Sequence, residues 1–185
     1  MAEPRLKFRA VGLDNWRDLE RLFESRGGPK SCWCMVWRAT PAEARQRDGK
    51  SRKAALCSRV AGGMSVGILG HLRGEPVAWC SIAPRPTYRR LGGPDDFEDN
   101  PDAVWSLVCF FVKRELRGRG ATEQLLAAAI KEARRHRAKI VEAYPVDRQS
   151  PSYRFMGFVD TFREAGFRKV GTAGLRRHVL RLALR

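Results

Sequence analysis

Apolar residues fall into short runs and helical stripes that alternate along the whole chain. Lys7 to Val11 is patterned as an opening strand, and after it Trp16, Leu19, Leu22 and Phe23 recur at helical spacing, with Asp14 available as a cap. Gly27-Gly28-Pro29 ends that helix. The aromatic stretch Cys32 to Trp37 then leads to Thr40-Pro41-Ala42-Glu43, which joins a Thr cap, a Pro in the first helical position and a Glu three residues after the cap. A second helix is predicted from there, interrupted at Gly49 before Ala54-Ala55-Leu56. Two β-rich runs, Met64 to Leu72 and Pro76 to Ala83, flank Arg73-Gly74-Glu75, whose composition predicts a tight antiparallel hairpin. Arg85 to Pro101 is loaded with Pro, Gly and Asp, and predicts a loop long enough to border a binding site.

Ala103 to Val112 is almost wholly apolar. A strand without polar alternation is covered on both faces, so this one is expected at the centre of a sheet. A glycine-rich turn follows, and after it Leu125, Leu126, Ala129, Ile130 and Ala133 share one face of a helix whose other side carries Lys131, Arg134 and Arg135. Ile140 to Tyr144 supplies the next strand, parallel to the last by the crossover rule. A further helix is predicted from about Pro151 to Ala165. Gly166 terminates it in the left-handed conformation, with Phe167 packing back on Phe162. Two closing strands are expected, near Phe167 to Val170 and Arg177 to Leu184. With no internal repeat, low-complexity tract or linker in 185 residues, the expectation is one α/β (α+β) domain spanning residues 1–185, with a mixed six- to seven-stranded sheet flanked by helices.

Composition narrows this further. Hydrophobic residues at 43% and charged residues at 30% exclude disorder of the chain as a whole. No apolar run approaches the roughly 20 residues that cross a bilayer, and Glu3, Arg5 and Lys7 replace an apolar signal core, so a cytoplasmic protein without a membrane span is expected. Five cysteines, Cys32, Cys34, Cys57, Cys80 and Cys109, are odd in number and expected to be reduced. Cys32-Trp33-Cys34 has no second ligand pair at metal spacing, and His71, His136 and His178 are scattered, so no metal is expected. The formal charge of +16 favours anionic partners. A nucleotide-bearing cofactor, an acidic substrate, nucleic acid or a membrane surface all satisfy it.

The chemistry begins at Arg117-Gly118-Arg119-Gly120-Ala121-Thr122. A strand running into a glycine turn that opens a helix aims free backbone N–H groups and the positive end of the helix dipole at one point, where anions bind. Gly118 and Gly120 permit close approach of the backbone, while Arg117, Arg119 and Lys113 add charge. The Lys-Ser or Lys-Thr pair of a nucleotide P-loop is missing, as is the third glycine of a dinucleotide fingerprint. Alone, the turn serves equally to start a helix. In context it resembles the pyrophosphate loop of the GNAT N-acetyltransferase superfamily, which reads Arg or Gln, any, any, Gly, any, then Gly or Ala. Arg117 and Gly120 match, and Thr122 stands in the last place. Val112 matches the hydrophobic position upstream, and Phe162-Arg163-Glu164-Ala165-Gly166-Phe167 is similar to the family's Tyr-x-x-x-Gly-Phe ending. In element order the resemblance runs from Lys7 to Leu184.

That resemblance implies an N-acetyltransferase that moves an acetyl or acyl group from acetyl-CoA to a primary amine on a small-molecule or peptide acceptor. It implies a central strand and parallel neighbour that splay apart around the cofactor. Phe110, Phe111 and Val112 would line the pantetheine arm through their backbone, and Arg117, Gly118, Arg119, Gly120, Ala121 and Thr122 would hold the pyrophosphate. A homodimer is also compatible with the family. The chain departs from the pattern twice: Ser106 stands where some members carry a glutamate base, and Phe162 where many carry a tyrosine acid. Glu142 and Tyr144, on one side of the strand after the cofactor helix, are candidate replacements, Tyr144 as acid and Glu142 as base through water; Asp147 and Tyr153 follow. Each has a plainer reading, an ion pair with an arginine for Glu142 and a packed ring with a satisfied hydroxyl for Tyr144. The expected acceptor pocket is framed by Cys32 to Trp37, Trp79 to Ala83 and the loop from Arg85 to Pro101. That loop's acidic run, Asp95-Asp96-Phe97-Glu98-Asp99, either attracts an amine or is simply solvated. Basic clusters at Arg45 to Lys53, Lys131 to Lys139 and Arg176 to Arg185 keep a second function open, a catalytically silent acyl-CoA-binding or nucleic-acid-binding regulator on the same fold.

Overall fold

The computed structural model describes residues 4–94, 100 and 103–184. Seven strands form one mixed sheet: β1 (Lys7–Ala10), β2 (Ile68–Leu72), β3 (Glu75–Pro84), β4 (Val104–Val112), β5 (Ile140–Ala143), β6 (Arg168–Ala173) and β7 (Arg177–Ala183), in the order β1-β2-β3-β4-β5-β7-β6. Only β4 and β5 run parallel; every other neighbouring pair is antiparallel. The helices are α1 (Trp16–Glu24), α2 (Pro41–Ala44), α3 (Gly49–Ala61), α4 (Ala121–Arg135) and α5 (Val159–Glu164).

The apolar run of β4 places it at the centre of the sheet, and Val104 to Val108 are all buried. On one face the stripe Leu125, Leu126, Ala129 and Ala133 of α4 packs on Ile82, Leu107, Val141 and Leu180. On the other, Leu19, Leu22 and Phe23 of α1 meet Trp33, Leu56, Leu69 and Trp79. Each such side chain, removed from water, contributes about 1.5–3 kcal/mol. The Thr40 signal is realised as a reciprocal box, in which the Glu43 amide donates to Thr40 Oγ1 at 3.3 Å and the Thr40 amide donates to Glu43 Oε2 at 2.8 Å. The end of α5 also follows its sequence. Gly166 N–H donates to the Arg163 carbonyl at 2.9 Å and Phe167 N–H to the Phe162 carbonyl at 3.0 Å, and the two phenyl rings meet edge-on at 5.2 Å.

Four local expectations are corrected. Asp14 does not cap α1: it pairs with Arg9 at 2.6 Å, while Asn15 Oδ1 accepts from the Gly12 amide. Gly49 does not interrupt a helix but begins α3 behind the cap Asp48, because a Cβ there would lie 2.3 Å from the Lys30 carbonyl. The run from Met64 yields strand only from Ile68, since β1 is four residues long and ends its pairing at Ala10 opposite Ile68. The long helix from Pro151 to Ala165 is replaced by a single 3-10 turn at Arg154–Met156 and the short α5.

The last of these has a clear cause. Val146 donates to the Gly157 carbonyl at 3.0 Å and accepts from the Val159 amide at 3.2 Å, so this backbone extends β5 instead of coiling. Gly157 has φ 88, and a Cβ on it would sit 2.8 Å from the Phe162 ring and 3.2 Å from Phe110. Gly157→Ala is therefore expected to destabilise the fold by about 2–3 kcal/mol, read as a lower midpoint of urea unfolding at unchanged slope; an unshifted midpoint would contradict this packing.

Candidate functional site

Parallel pairing between β4 and β5 stops at Leu107 opposite Ala143. At that point the β3–β4 register jumps from Ser81↔Cys109 to Ile82↔Leu107, leaving Val108 as an extra residue on β4. Such a bulge bends a strand and sharpens its twist. Beyond it, the last residues of β4 run on without a β5 partner, while the other chain turns through Pro145 to pair Val146 with Phe158 and Arg177. The gap is a cleft of about 590 Å³. Phe110, Phe111 and Val112 form one wall, Phe155, Gly157 and Phe158 the other, and Arg117, Gly118, Thr122 and Glu123 the mouth.

The mouth is built by the chain between β4 and α4. Arg117 Nε donates to the Val112 carbonyl at 2.9 Å, folding the turn back onto the end of the strand. Gly118 at φ 68 and Gly120 at φ 75 then take the left-handed conformation, the second as the residue preceding α4. No side chain caps this helix. Its first amides lack acceptors within the helix, so successive N–H groups and the dipole face the cleft together, the arrangement of a backbone anion nest. A Cβ on Gly118 would meet nothing within 4 Å. An open cradle of amides at one end and an unpaired strand edge at the other fit a long ligand with a diphosphate head and an amide-bearing arm.

Six residues expected to contact a cofactor line this cleft: Phe110, Phe111, Val112, Arg117, Gly118 and Thr122. Arg119 lies apart, on a surface hollow with Arg5, Leu72 and Leu116; Ala121 is buried under the sheet, and Gly120 contributes through backbone conformation. Sequence reasoning did not find Arg148, Arg154 and Phe158, which line the far wall. Both guanidiniums stack on the Phe158 ring, at 5.5 and 4.9 Å. The dense Arg and aromatic composition from Arg148 to Phe158 was the available signal.

Glu142 and Tyr144 lie together and both are fully buried. The Tyr144 hydroxyl donates to Glu142 Oε1. Arg181 Nε donates to Glu142 Oε2 at 2.7 Å, and Arg85 Nη1 reaches both oxygens at 3.2 and 3.3 Å. Burial, reinforced by the Glu142 charge, pushes the Tyr144 hydroxyl well above the usual phenol range. Ser106, buried, stands opposite Glu142 in the parallel register. Asp147 pairs instead with His178 at 3.0 Å, and Tyr153 leans toward Trp37 and Phe155, with ring centroids at 6.2 and 6.3 Å.

The expected acceptor frame divides. Trp33 and Trp79 belong to the core, Trp33 within 5.9 Å of Trp16 and 5.1 Å of Phe23, and Trp79 Nε1 donates to Cys34 Sγ at 3.0 Å. Trp37 faces the other way, packing in one cluster with Val108, Tyr144 and Met156. Between them Arg38 is buried, stacked 4.0 Å over Tyr88 and donating to the Val66 carbonyl at 2.7 Å, Ser81 Oγ at 3.0 Å and Tyr88 at 2.6 Å. Desolvation lowers its pKa. The run Asp95 to Asp99 lies outside the described residues. Among those described, no three His, Cys, Asp or Glu side chains gather as a metal site, and no helix is long and apolar enough to cross a membrane.

Comparison with known proteins bears on this geometry. No curated protein matches the chain in sequence. Solved structures match it over nearly their full length. A ribosomal-protein-alanine N-acetyltransferase from Brucella melitensis has TM-score 0.58 at 20% identity, covering 97% of this chain and 100% of its own. PaiA N-acetyltransferase from Thermoplasma acidophilum, in complex with coenzyme A, has TM-score 0.59 at 11% identity, covering 97% and 99%. An aminoglycoside acetyltransferase in complex with coenzyme A has TM-score 0.61 at 15% identity, covering 97% and 95%. These likenesses establish a shared fold. The sequence profile of the acetyltransferase (GNAT) family matches residues 29–158, from before α2 through the cofactor turn to the far wall of the cleft. With the splayed strands, the uncapped glycine turn and this match over most of its length, the chain belongs to the GNAT acetyltransferase family.

Proposed function

We propose that this protein is an acetyl-CoA-dependent N-acyltransferase that acetylates a primary amine by direct attack. The observation that carries the reading is the opening of β4 away from β5 past Leu107, with an uncapped amide cradle at its mouth. Phe110, Phe111 and Val112 would offer strand backbone to the pantetheine arm, and the amides from Gly118 to Thr122 would hold the pyrophosphate, with Arg117, Arg148 and Arg154 offsetting its charge. Acetyl-CoA supplies an activated acyl carbon whose thiol, with a pKa near about 8.5, leaves readily. The amine lone pair forms the C–N bond as the C–S bond breaks; the departing thiolate takes one proton, and the nitrogen gives one up in its place, leaving amide and free thiol.

In this reading Tyr144 is the proton-holding group beside the reaction. Its raised pKa keeps the hydroxyl protonated. Glu142, clamped by Arg85 and Arg181, accepts that proton's hydrogen bond between turnovers, and the hydroxyl would turn from Glu142 to the departing thiolate as the C–S bond breaks. Glu142 thereby serves as a positioning residue, because its oxygens already accept from three partners and neither meets solvent. Coenzyme A titrated calorimetrically, followed by thiol release from acetyl-CoA with a panel of amines, tests the whole reading; absence of coenzyme A uptake would end it. Tyr144→Phe is expected to lower kcat by about 100-fold with coenzyme A affinity retained. An unchanged kcat would remove Tyr144 from the mechanism.

A further inference from the structure

Next to the bulge at Val108, Trp37 packs against two cations. The Arg177 guanidinium lies 4.7 Å and that of Arg89 5.1 Å from its ring centroid. Arg177 also sits 5.4 Å from the Tyr153 ring and 6.0 Å from Tyr144. The box is fixed by backbone: the Arg89 amide donates to the Trp37 carbonyl at 2.9 Å, and Arg177 Nη1 donates to the Leu91 carbonyl at 3.1 Å. It adjoins the cleft on two sides, since Trp37 shares a packed cluster with Val108 and Tyr144, and Tyr153 touches the cleft-wall ring of Phe155.

These cations differ from the others around them. Arg85 and Arg181 are ion-paired to Glu142. Arg148 is paired to Asp160 at 3.1 Å. Among the described residues, neither Arg89 nor Arg177 has a carboxylate partner; Asp147, just past the end of β5, pairs with His178. Arg177 is half-buried, and desolvation together with the neighbouring Arg89 lowers its pKa. The aromatic faces hold these guanidiniums in place by cation–π attraction and leave N–H donors that an anion can still take. The buried Trp37 Nε1 has no hydrogen-bond partner either. Two guanidiniums thus meet at one aromatic ring, and among the described residues no carboxylate answers either of them.

Resting on the N-acyltransferase reading, we infer that the acceptor amine carries an anionic oxyacid group, a carboxylate or phosphate a few bonds from the nitrogen, which docks on the guanidiniums of Arg177 and Arg89 beside the Trp37 ring. A planar guanidinium binds either group in a fork. Polycationic amines are disfavoured by the same pair of charges. The anion holds the amine near Val108, where β4 leaves β5, and the acyl carbon lies at the end of the arm that begins at the amide cradle.

The experiment compares matched acceptors: L-amino acids beside their decarboxylated amines, and phosphoethanolamine beside ethanolamine, with spermidine as the polycation. Thiol release is followed for the wild type, Arg177→Gln and Arg177→Lys, and coenzyme A affinity is measured separately in each. The wild type should favour an anionic member over its neutral counterpart by about 10- to 100-fold in kcat/KM, the choice of pair reporting carboxylate or phosphate. In Arg177→Gln that preference should disappear through KM with coenzyme A affinity intact, and Arg177→Lys should restore part of it. Equal or better use of the neutral amines or spermidine, a preference that survives Arg177→Gln, or turnover with none of the panel while coenzyme A still binds would each overturn the inference. Loss of coenzyme A binding in the wild type would instead overturn the acyltransferase reading beneath it.

Discussion

Glu142→Gln is expected to lower the midpoint of thermal unfolding by roughly 10 °C. The carboxylate is fully buried and accepts from Arg85, Arg181 and Tyr144, whereas the two arginine side chains retain 19% and 9% of their exposure. Removing the charge takes away the carboxylate that both guanidiniums share at this point, where they meet little water. Breaking one partner out of a buried ionic group costs about 3–5 kcal/mol, and a domain of this size shifts by about 2–4 °C per kcal/mol. The Gln side chain still accepts one hydrogen bond, which places the effect toward the lower end. Combining Glu142→Gln with Arg181→Gln should give less than the sum of the two losses, as members of one network do. A midpoint within about 2 °C of wild type would mean that this ion group is not a structural anchor. The result also governs the kinetics: Tyr144→Phe keeps the ion pairs, so its loss of kcat should come without a comparable loss of stability.

Gly118→Asp should abolish most coenzyme A binding, by about 100-fold or more, while the protein stays folded. The position is open, with no atom within 4 Å of the point a Cβ would occupy, so the added side chain displaces nothing. Its φ of 68 costs a non-glycine residue about 1 kcal/mol, which the fold tolerates. The new carboxylate, however, competes for the amides that would face the pyrophosphate and repels its charge. Gly118→Ala separates the two causes, since it carries the backbone cost without the charge and should weaken binding far less. Calorimetry at two salt concentrations reads both, the electrostatic part shrinking as salt screens it. Equal affinities for wild type and Gly118→Asp would place the pyrophosphate elsewhere.

Much of this molecule is written in local sequence. The apolar run of β4, the one-faced stripe of α4, the Thr40–Glu43 box and the Gly166 ending each depend on residues within about one or two turns of one another, where periodicity and capping chemistry act directly. The glycine turn at Arg117 to Thr122 belongs to the same class, and with it the place where a cofactor would be held. Local rules failed where backbone made a distant commitment. The stretch from Pro151 has helical composition, yet Gly157 and Val159 hydrogen-bond to Val146 and the helix never forms over most of it.

What only the tertiary structure decided is who meets whom across the sheet. Insertion of β7 between β5 and β6 brings Arg181 to Glu142 from 39 residues away, and the loop after β3 brings Arg85 from 57 residues away. The same assembly turns Arg38 inward, sets Arg177 and Arg89 against Trp37, and places a bulge at Val108 where the cleft begins. Sequence alone determined the strands, the main helix and the glycine turn before it, because those follow from neighbours along the chain. Charge pairing and pocket shape followed from long-range register, which no nearby residue encodes.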